Sequence, residues 1–168
     1  MKKKISLLVF IIVAFFVQNH KSNGDAIAME LRNELNKVDK EFFLEMVNMV
    51  RAKGCNCGAR RFEPTTPLRW NDTLEMAAKV HSIDMNSKKF MRHRGSDGSS
   101  VAVRADRQGY PSKFVGENIF HGEGRTDNRA FEAWMKSPGH CANIMNPRYQ
   151  EIGVAREGAY WTMVLGLR

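Results

Sequence analysis

The sequence has no internal repeat and no low-complexity segment, which leaves one compact unit for its 168 residues. It also has no run of basic residues: the formal net charge is +8, but lysine and arginine are scattered. Scattered charge reads as a solvated basic surface with at most a bias toward anionic cell-envelope polymers, and it argues against nucleic acid as a partner. No stretch is long enough to span a bilayer, which takes about 20 apolar residues, so no integral membrane domain is expected beyond the leader. No nucleophile elbow or known protease signature occurs. Cysteine is scarce, and none lies near the N-terminus, which argues against a lipid-anchored processed cysteine.

The opening MKKKISLLVFIIVAFFV sets three lysines before an apolar run from Ile5 to Val17, the layout of a secretory signal peptide. Ala26 and Ala28 satisfy the small-residue rule for cleavage, and Gly24 offers another site. An uncleaved N-terminal anchor is the alternative. The expected organisation is a leader at 1–28 and a domain at 29–168, in a secreted or extracytoplasmic protein. Four of the 26 basic and one of the 18 acidic residues precede a cut after Ala28, so the excess of positive charge falls to five.

Cys55, Cys57 and Cys141 in an exported chain imply one disulfide and one leftover thiol. A bond within Cys55-Asn56-Cys57 is geometrically poor, so Cys141 is expected to pair with Cys55 or with Cys57. Closing so long a loop stabilises by roughly 2–5 kcal/mol. A metal site built on CNC lacks the usual two-residue spacer and a second ligand pair, which argues against it.

From Met29 to Ala52, Leu31, Leu35, Val38, Phe42, Met46 and Met49 share one helical face, and Gly54 follows as a stop. The next stretch, rich in glycine, proline and threonine, reads as an extended connection with a short strand near Leu68–Trp70. Asn71 or Asp72 caps a helix running to about Ser87. Leu74, Ala77, Ala78, His81 and Met85 form one face of it and Met76, Val80 and Ile83 the other, so cover on both sides is expected. His81, on an apolar stripe, reads as a buried histidine bonded to backbone. MRHRGSDGSS turns around Asp97, and Ser99 or Ser100 caps a short helix ending at Gly109. EIGVA and AYWTMVLGL read as strands joined at Glu157-Gly158. Helices on both sides of a small antiparallel sheet follow, an α+β fold.

The stretch from Gly116 to Pro147 carries most of the chemistry. Glu117 stands between a glycine and an amide. A helix over Arg129–Lys136, capped by Thr126 or Asp127, ends at Pro138, and Gly139 frees the backbone to present His140.

Together LRWN with AAKVHSIDM, HRGSDGSS with RADRQGY, GENI, WMKSPGHCANIMNP, EIGVA and YWTMVLG, in this order from about Phe42 to Gly166, resemble the CAP superfamily (cysteine-rich secretory proteins, antigen 5 and pathogenesis-related 1), in its bacterial SCP-like branch. The resemblance implies a three-layer α-β-α sandwich with a small central antiparallel sheet and a cleft. GCNCG followed later by GHC also fits a bacterial subgroup and implies a bond tying the first loop to the His140 turn. Family members place two histidines and two acidic residues in the cleft, and in several the histidines hold a divalent ion such as zinc. Carried over by motif, His93 and His140 match the histidines and Glu117 one acid. Where plant and animal members carry the other acid, this chain has Ser137, and Glu132 lies nearby on a different side of the helix.

Two imidazoles and a carboxylate can hold zinc or another divalent cation, with Glu117 in reach directly or through water, and no organic cofactor is implied. The resemblance favours a binding module that engages a small lipid, an envelope polymer or a protein. The alternative is a hydrolase using metal-bound water or Ser137 and His140, with Glu117 as orienter. A third reading makes the cluster structural. Neither the ligand nor the oligomeric state can be read from the sequence.

Overall fold

The computed structural model describes residues 24–31, 34–111, 114–124 and 126–168. Most of the expected signal peptide, residues 1–23, lies outside the described residues. The chain divides into two compact units, Met1–Lys37 and Val38–Arg168. In the first, residues 24–31 and 34–35 are helical, and Leu31 and Leu35 are exposed. Among the described residues no helix is long and apolar enough to cross a membrane.

The helix expected over Met29–Ala52 is therefore interrupted. Its second part, α1 (Lys40–Lys53), starts afresh because the Asp39 side chain accepts from Phe42 N and caps it. The restart changes the buried face, which consists of Phe43, Val47 and Arg51 at four-residue spacing; Phe42 and Met46 pack at its edge. The remaining elements are β1 (Cys55–Cys57), β2 (Arg60–Phe62), β3 (Arg69–Trp70), α2 (Asp72–Lys88), α3 (Val101–Arg107), β4 (Phe114–His121), α4 (Asp127–Lys136), α5 (Pro138–Ile144), β5 (Glu151–Glu157) and β6 (Tyr160–Leu167).

β1 and β2 form a small hairpin, while the central sheet runs β3-β5-β6-β4. Its long pairings, β4 with β6 and β5 with β6, are antiparallel; β3 joins β5 in parallel through two residues. Alternation along the strands divides the core into two layers. Ile152, Val154, Trp161, Met163 and Leu165 pack with α1, α4 and α5, around Phe43, Phe131, Trp134 and Ile144. On the other face Ala155 and Val164 meet Leu74, Ala77 and Ala78 of α2 and Ala105 of α3. This is the expected α-β-α sandwich. Thr162, the polar residue of an otherwise apolar strand, accepts from Ser82 Oγ at 2.9 Å, so its burial leaves no orphan.

Asn71 caps α2 through Oδ1, which accepts from Thr73 N and Leu74 N. The face bearing Leu74, Ala77, Ala78, His81 and Met85 is fully buried, but Met76, Val80 and Ile83 are exposed, so among the described residues the cover expected there is absent. The helix forms an outer layer and needs only one apolar face. Gly153 sets how closely it lies on the sheet, since a Cβ there would overlap the backbone of Leu74 and Glu75.

Pro138 does more than end α4: it is the first residue of α5, a position that suits its fixed φ and missing N–H. His140 thus sits on a helix. Gly139 is not among the glycines with positive φ, and a Cβ there would meet open space, so the freed backbone expected at Gly139 is not what orients His140. Arg51 fixes the far end of α5. Buried beneath it, the guanidinium donates from Nε to Thr66 O (2.8 Å), from Nη1 to Ile144 O (2.6 Å) and Asn146 O (3.0 Å), and from Nη2 to Tyr149 O (3.3 Å). Burial draws its pKa down to about 10, still well above neutral.

Two glycine substitutions separate these roles. Gly153→Ala is expected to destabilise by ~3 kcal/mol or more, because backbone cannot step aside. Gly139→Ala is expected to stay within about 1 kcal/mol of wild type. Urea unfolding monitored by circular dichroism measures both, and equal costs would contradict the packing described.

Candidate functional site

Among the described residues the strand β4 lies at the edge of the sheet, bonded to β6, and its residues 117 and 118 face opposite layers. Glu117 lies opposite Val164, on the α2 and α3 side, and Asn118 opposite Met163, on the α4 and α5 side. Each anchors one of the two expected histidines.

Glu117 is buried, with both carboxylate oxygens occupied. Oε2 accepts from Arg104 Nη2 at 2.6 Å, and Oε1 accepts from His93 Nδ1 at 2.9 Å. Arg104, buried on α3, also donates to the carbonyls of His93 (3.1 Å) and Ser99 (2.9 Å). One guanidinium thus neutralises the carboxylate and fixes the loop that carries the histidine. An ionised carboxylate can only accept, so the proton of neutral His93 is on Nδ1 and the lone pair of Nε2 is left for another partner. The His93 side chain is 58% exposed, so that nitrogen is accessible. The hydrogen bond to Glu117 is the main cause raising the His93 pKa, with burial opposing it.

His140 is held from the other layer. Its carbonyl accepts from Asn118 Nδ2 at 3.0 Å, and Asn143 Nδ2 donates to Asn118 Oδ1 (2.9 Å) and to Glu117 O (3.3 Å). The half-buried ring has its pKa lowered, first by burial and then by the charge of His93. The charge of His93 therefore reaches the His140 ring.

His81 is buried with Nε2 3.0 Å from Arg92 O, the backbone bond expected of it, and that nitrogen lies 3.7 Å from Glu117 Oε1. Because a carbonyl only accepts, the proton is on Nε2; Nδ1 is buried without a partner. Burial is the main cause lowering its pKa. His81 backs the site without being exposed at it.

Ser137 caps α5 through its backbone and makes no side-chain capping bond; among the described residues no hydrogen bond joins its hydroxyl to His140. Glu132 does not replace the missing acid. It accepts from Asn128 Nδ2 (2.9 Å) and Arg129 Nη1 (3.2 Å), beside a hollow of about 460 Å³ that also includes His121 and Lys136 and excludes His93, Glu117 and His140. Arg104 is a site residue that sequence reasoning misses. In RADRQGY it looks like any helical arginine, and its place beside Ala105 is the one available signal.

A second group of donors lies where β1 meets α5. Cys57 and Cys141 form the disulfide, with Cα atoms 5.5 Å apart, and Cys55 is free. The three sulfurs are within 4.8 Å of one another, and among the described residues they form the group of three donors with metal-ligating spacing; His93, Glu117 and His140 do not meet that spacing. The three cysteines of the metal site that CNC argued against thus do come together in space, but with Cys57 and Cys141 joined only Cys55 keeps a thiol.

Arg104→Met strands a buried carboxylate and is expected to cost about 3–5 kcal/mol, while adding Glu117→Gln to it recovers a large part. Simple additivity in chemical denaturation would contradict the pairing. The raised pKa of His93 gives stability that is full below the ordinary histidine value of 6.5 and lost as pH climbs through the raised value. His93→Gln is therefore expected to lower the melting temperature more at about pH 5.5 than at about pH 8.5.

The model of "CAP: Cysteine-rich secretory protein family" matches residues 44–163. The chain is 34% identical over 105 residues to the uncharacterized protein YkwD of Bacillus subtilis, covering 61% of this chain and 40% of YkwD. It is 24% identical over 139 residues to the uncharacterized membrane protein YlbC of the same organism, covering 82% of this chain and 37% of YlbC. The chain thus spans well under half of either relative. Among solved structures, an extracellular protein containing a SCP domain from Bacillus anthracis superposes with a TM-score of 0.67 at 20% identity, over 76% of this chain and 40% of that one. An outer surface protein from Borrelia burgdorferi gives a TM-score of 0.64 at 21% identity, over 76% of this chain and 91% of that one. With the fold and most of the chain in agreement, this protein belongs to the cysteine-rich secretory protein (CAP) family.

Proposed function

We propose that the chain is an extracytoplasmic CAP-domain binding module whose His93 and His140 hold a divalent cation such as zinc, the open coordination places engaging a lipid, envelope polymer or protein ligand. The reading is supported by the chain from Arg104 through Glu117 to His93. A carboxylate that accepts from one ring nitrogen fixes the tautomer and aims the other nitrogen at a cation, the arrangement found behind metal-bound histidines. Glu117 then acts behind His93 and not as a ligand. His140 adds a ring that is kept neutral by burial, as a ligand must be. The extracellular and outer-surface names of structural neighbours are in keeping with the location proposed.

Hydrolysis is the weaker reading. Glu117 orients His93 and is not placed to orient His140, and the Ser137 hydroxyl has no base bonded to it.

Calorimetric titration of the oxidised protein with zinc tests the proposal. Uptake is expected in the wild type and lost in the His93→Ala, His140→Ala double variant. Glu117→Gln, which removes the charge behind His93, is expected to weaken binding by about 10–100-fold. Equal zinc uptake by wild type and double variant would refute the site.

A further inference from the structure

The cysteine cluster lies apart from the two histidines, and its spacing carries its own meaning. Cys55 Sγ is 3.9 Å from Cys57 Sγ and 3.7 Å from Cys141 Sγ. Three thiolates bound at ~2.3 Å to one tetrahedral zinc ion stand ~3.8 Å apart. Two edges of the sulfur triangle therefore already have the length a zinc ion imposes, and only the edge closed by the covalent bond does not. Nearly equal distances also put Cys55 broadside to the disulfide. Displacement of one sulfur by another runs along the S–S axis, so this placement suits a shared ligand better than an attacking thiol.

We propose that reduction of the Cys57–Cys141 bond turns Cys55, Cys57 and Cys141 into a binding site for zinc. A dithiol reductant gives two electrons and two protons to the bond and departs as its own disulfide, leaving three thiols in the chain. Zinc displaces their three protons, and water takes the fourth place. The surroundings fit this use. Cys57 and Cys141 are buried and Cys55 is half-buried, which gives the ion an entrance from one side. Val50, Phe62, Met135 and Met145 form an apolar wall around the sulfurs. Gly58, in the left-handed region at φ +62°, turns the hairpin tightly against Pro138, a second close approach of β1 to α5 besides the disulfide. The disulfide and the metal site are thus alternative clasps between the same two elements, independent of His93 and His140.

The test is cobalt(II) and zinc titration of the purified chain, oxidised and then reduced and freed of reductant under argon. Thiolate-to-cobalt charge transfer reports cysteine ligands alone, so cation held by the histidines is silent. The reduced chain is expected to develop the band with one equivalent of cobalt, to lose it to one equivalent of zinc, and to show none when oxidised. Cys55→Ala leaves the disulfide possible and is expected to weaken zinc binding by the reduced chain at least about tenfold. Absence of the band after reduction, or an unchanged band in Cys55→Ala, overturns the proposal. If reduction unfolds the domain, zinc is expected to restore its circular dichroism, and failure to do so overturns it equally.

Discussion

The Arg104–Glu117 pair is the constraint on which the site depends. A carboxylate on a sheet face packed against α2 and α3 is tolerable only with its charge matched and its lone pairs used, and Arg104 meets the first need at 2.6 Å. Such a pair gives little net stability, because desolvating two ions offsets most of their attraction. What it does is select one arrangement: α3 has to bring its guanidinium to β4, and the loop before α3 has to offer the carbonyls of His93 and Ser99 to the same group. His93 is placed as a consequence.

The second histidine is tied to the same strand by a separate route, and the edge position of β4 explains how. A central strand would have a neighbour across its open side, whereas at the edge both layers can reach around. Glu117 holds one imidazole by its side chain, and Asn118, pointing the opposite way, holds the other through a backbone carbonyl. The second route relies on α5 being immobile. Arg51 ties down its last carbonyls and Cys141 its first turn, while Asn143 returns a hydrogen bond to the backbone of Glu117. Two adjacent residues of one strand thus tie down residues 47 positions apart in the chain, and the Gly-Glu-Asn order matters because glutamate and asparagine are consecutive.

Much of this is legible in the sequence. The two strands β5 and β6 with their turn at Glu157-Gly158, a cap at Asn71 or Asp72 and the buried face of α2 follow from local pattern, and the structure has all three, with Asn71 as the cap. His93, Glu117 and His140 come from motif resemblance, and the structure brings Glu117 to both histidine-bearing segments. The failures share a cause in that local pattern cannot see what a side chain meets at long range. Asp39 looks like an ordinary polar position within a helix, yet it accepts at a helix start while its own N–H donates to Asp127, 88 residues on. Met76, Val80 and Ile83 read as a second core face, though an outer-layer helix buries only one. Arg104 is the sharpest case: apart from Ala105 beside it, nothing nearby distinguishes a buried arginine from a surface one, and it is the partner strand that reveals it.

The cysteines show the same limit in a more instructive form. A two-residue spacer is expected of paired metal ligands because such ligands usually sit on a turn, where two residues are needed to aim both sulfurs inward. Cys55 and Cys57 lie on a strand, where the side-chain period is two and a single spacer puts both on one face. The Cys-Asn-Cys spacing that argued against a metal site therefore still puts both sulfurs on one face once the local structure is β. It also explains why the partner of Cys141 cannot be chosen from the sequence, since both thiols face α5 and only the finer placement of the hairpin favours Cys57.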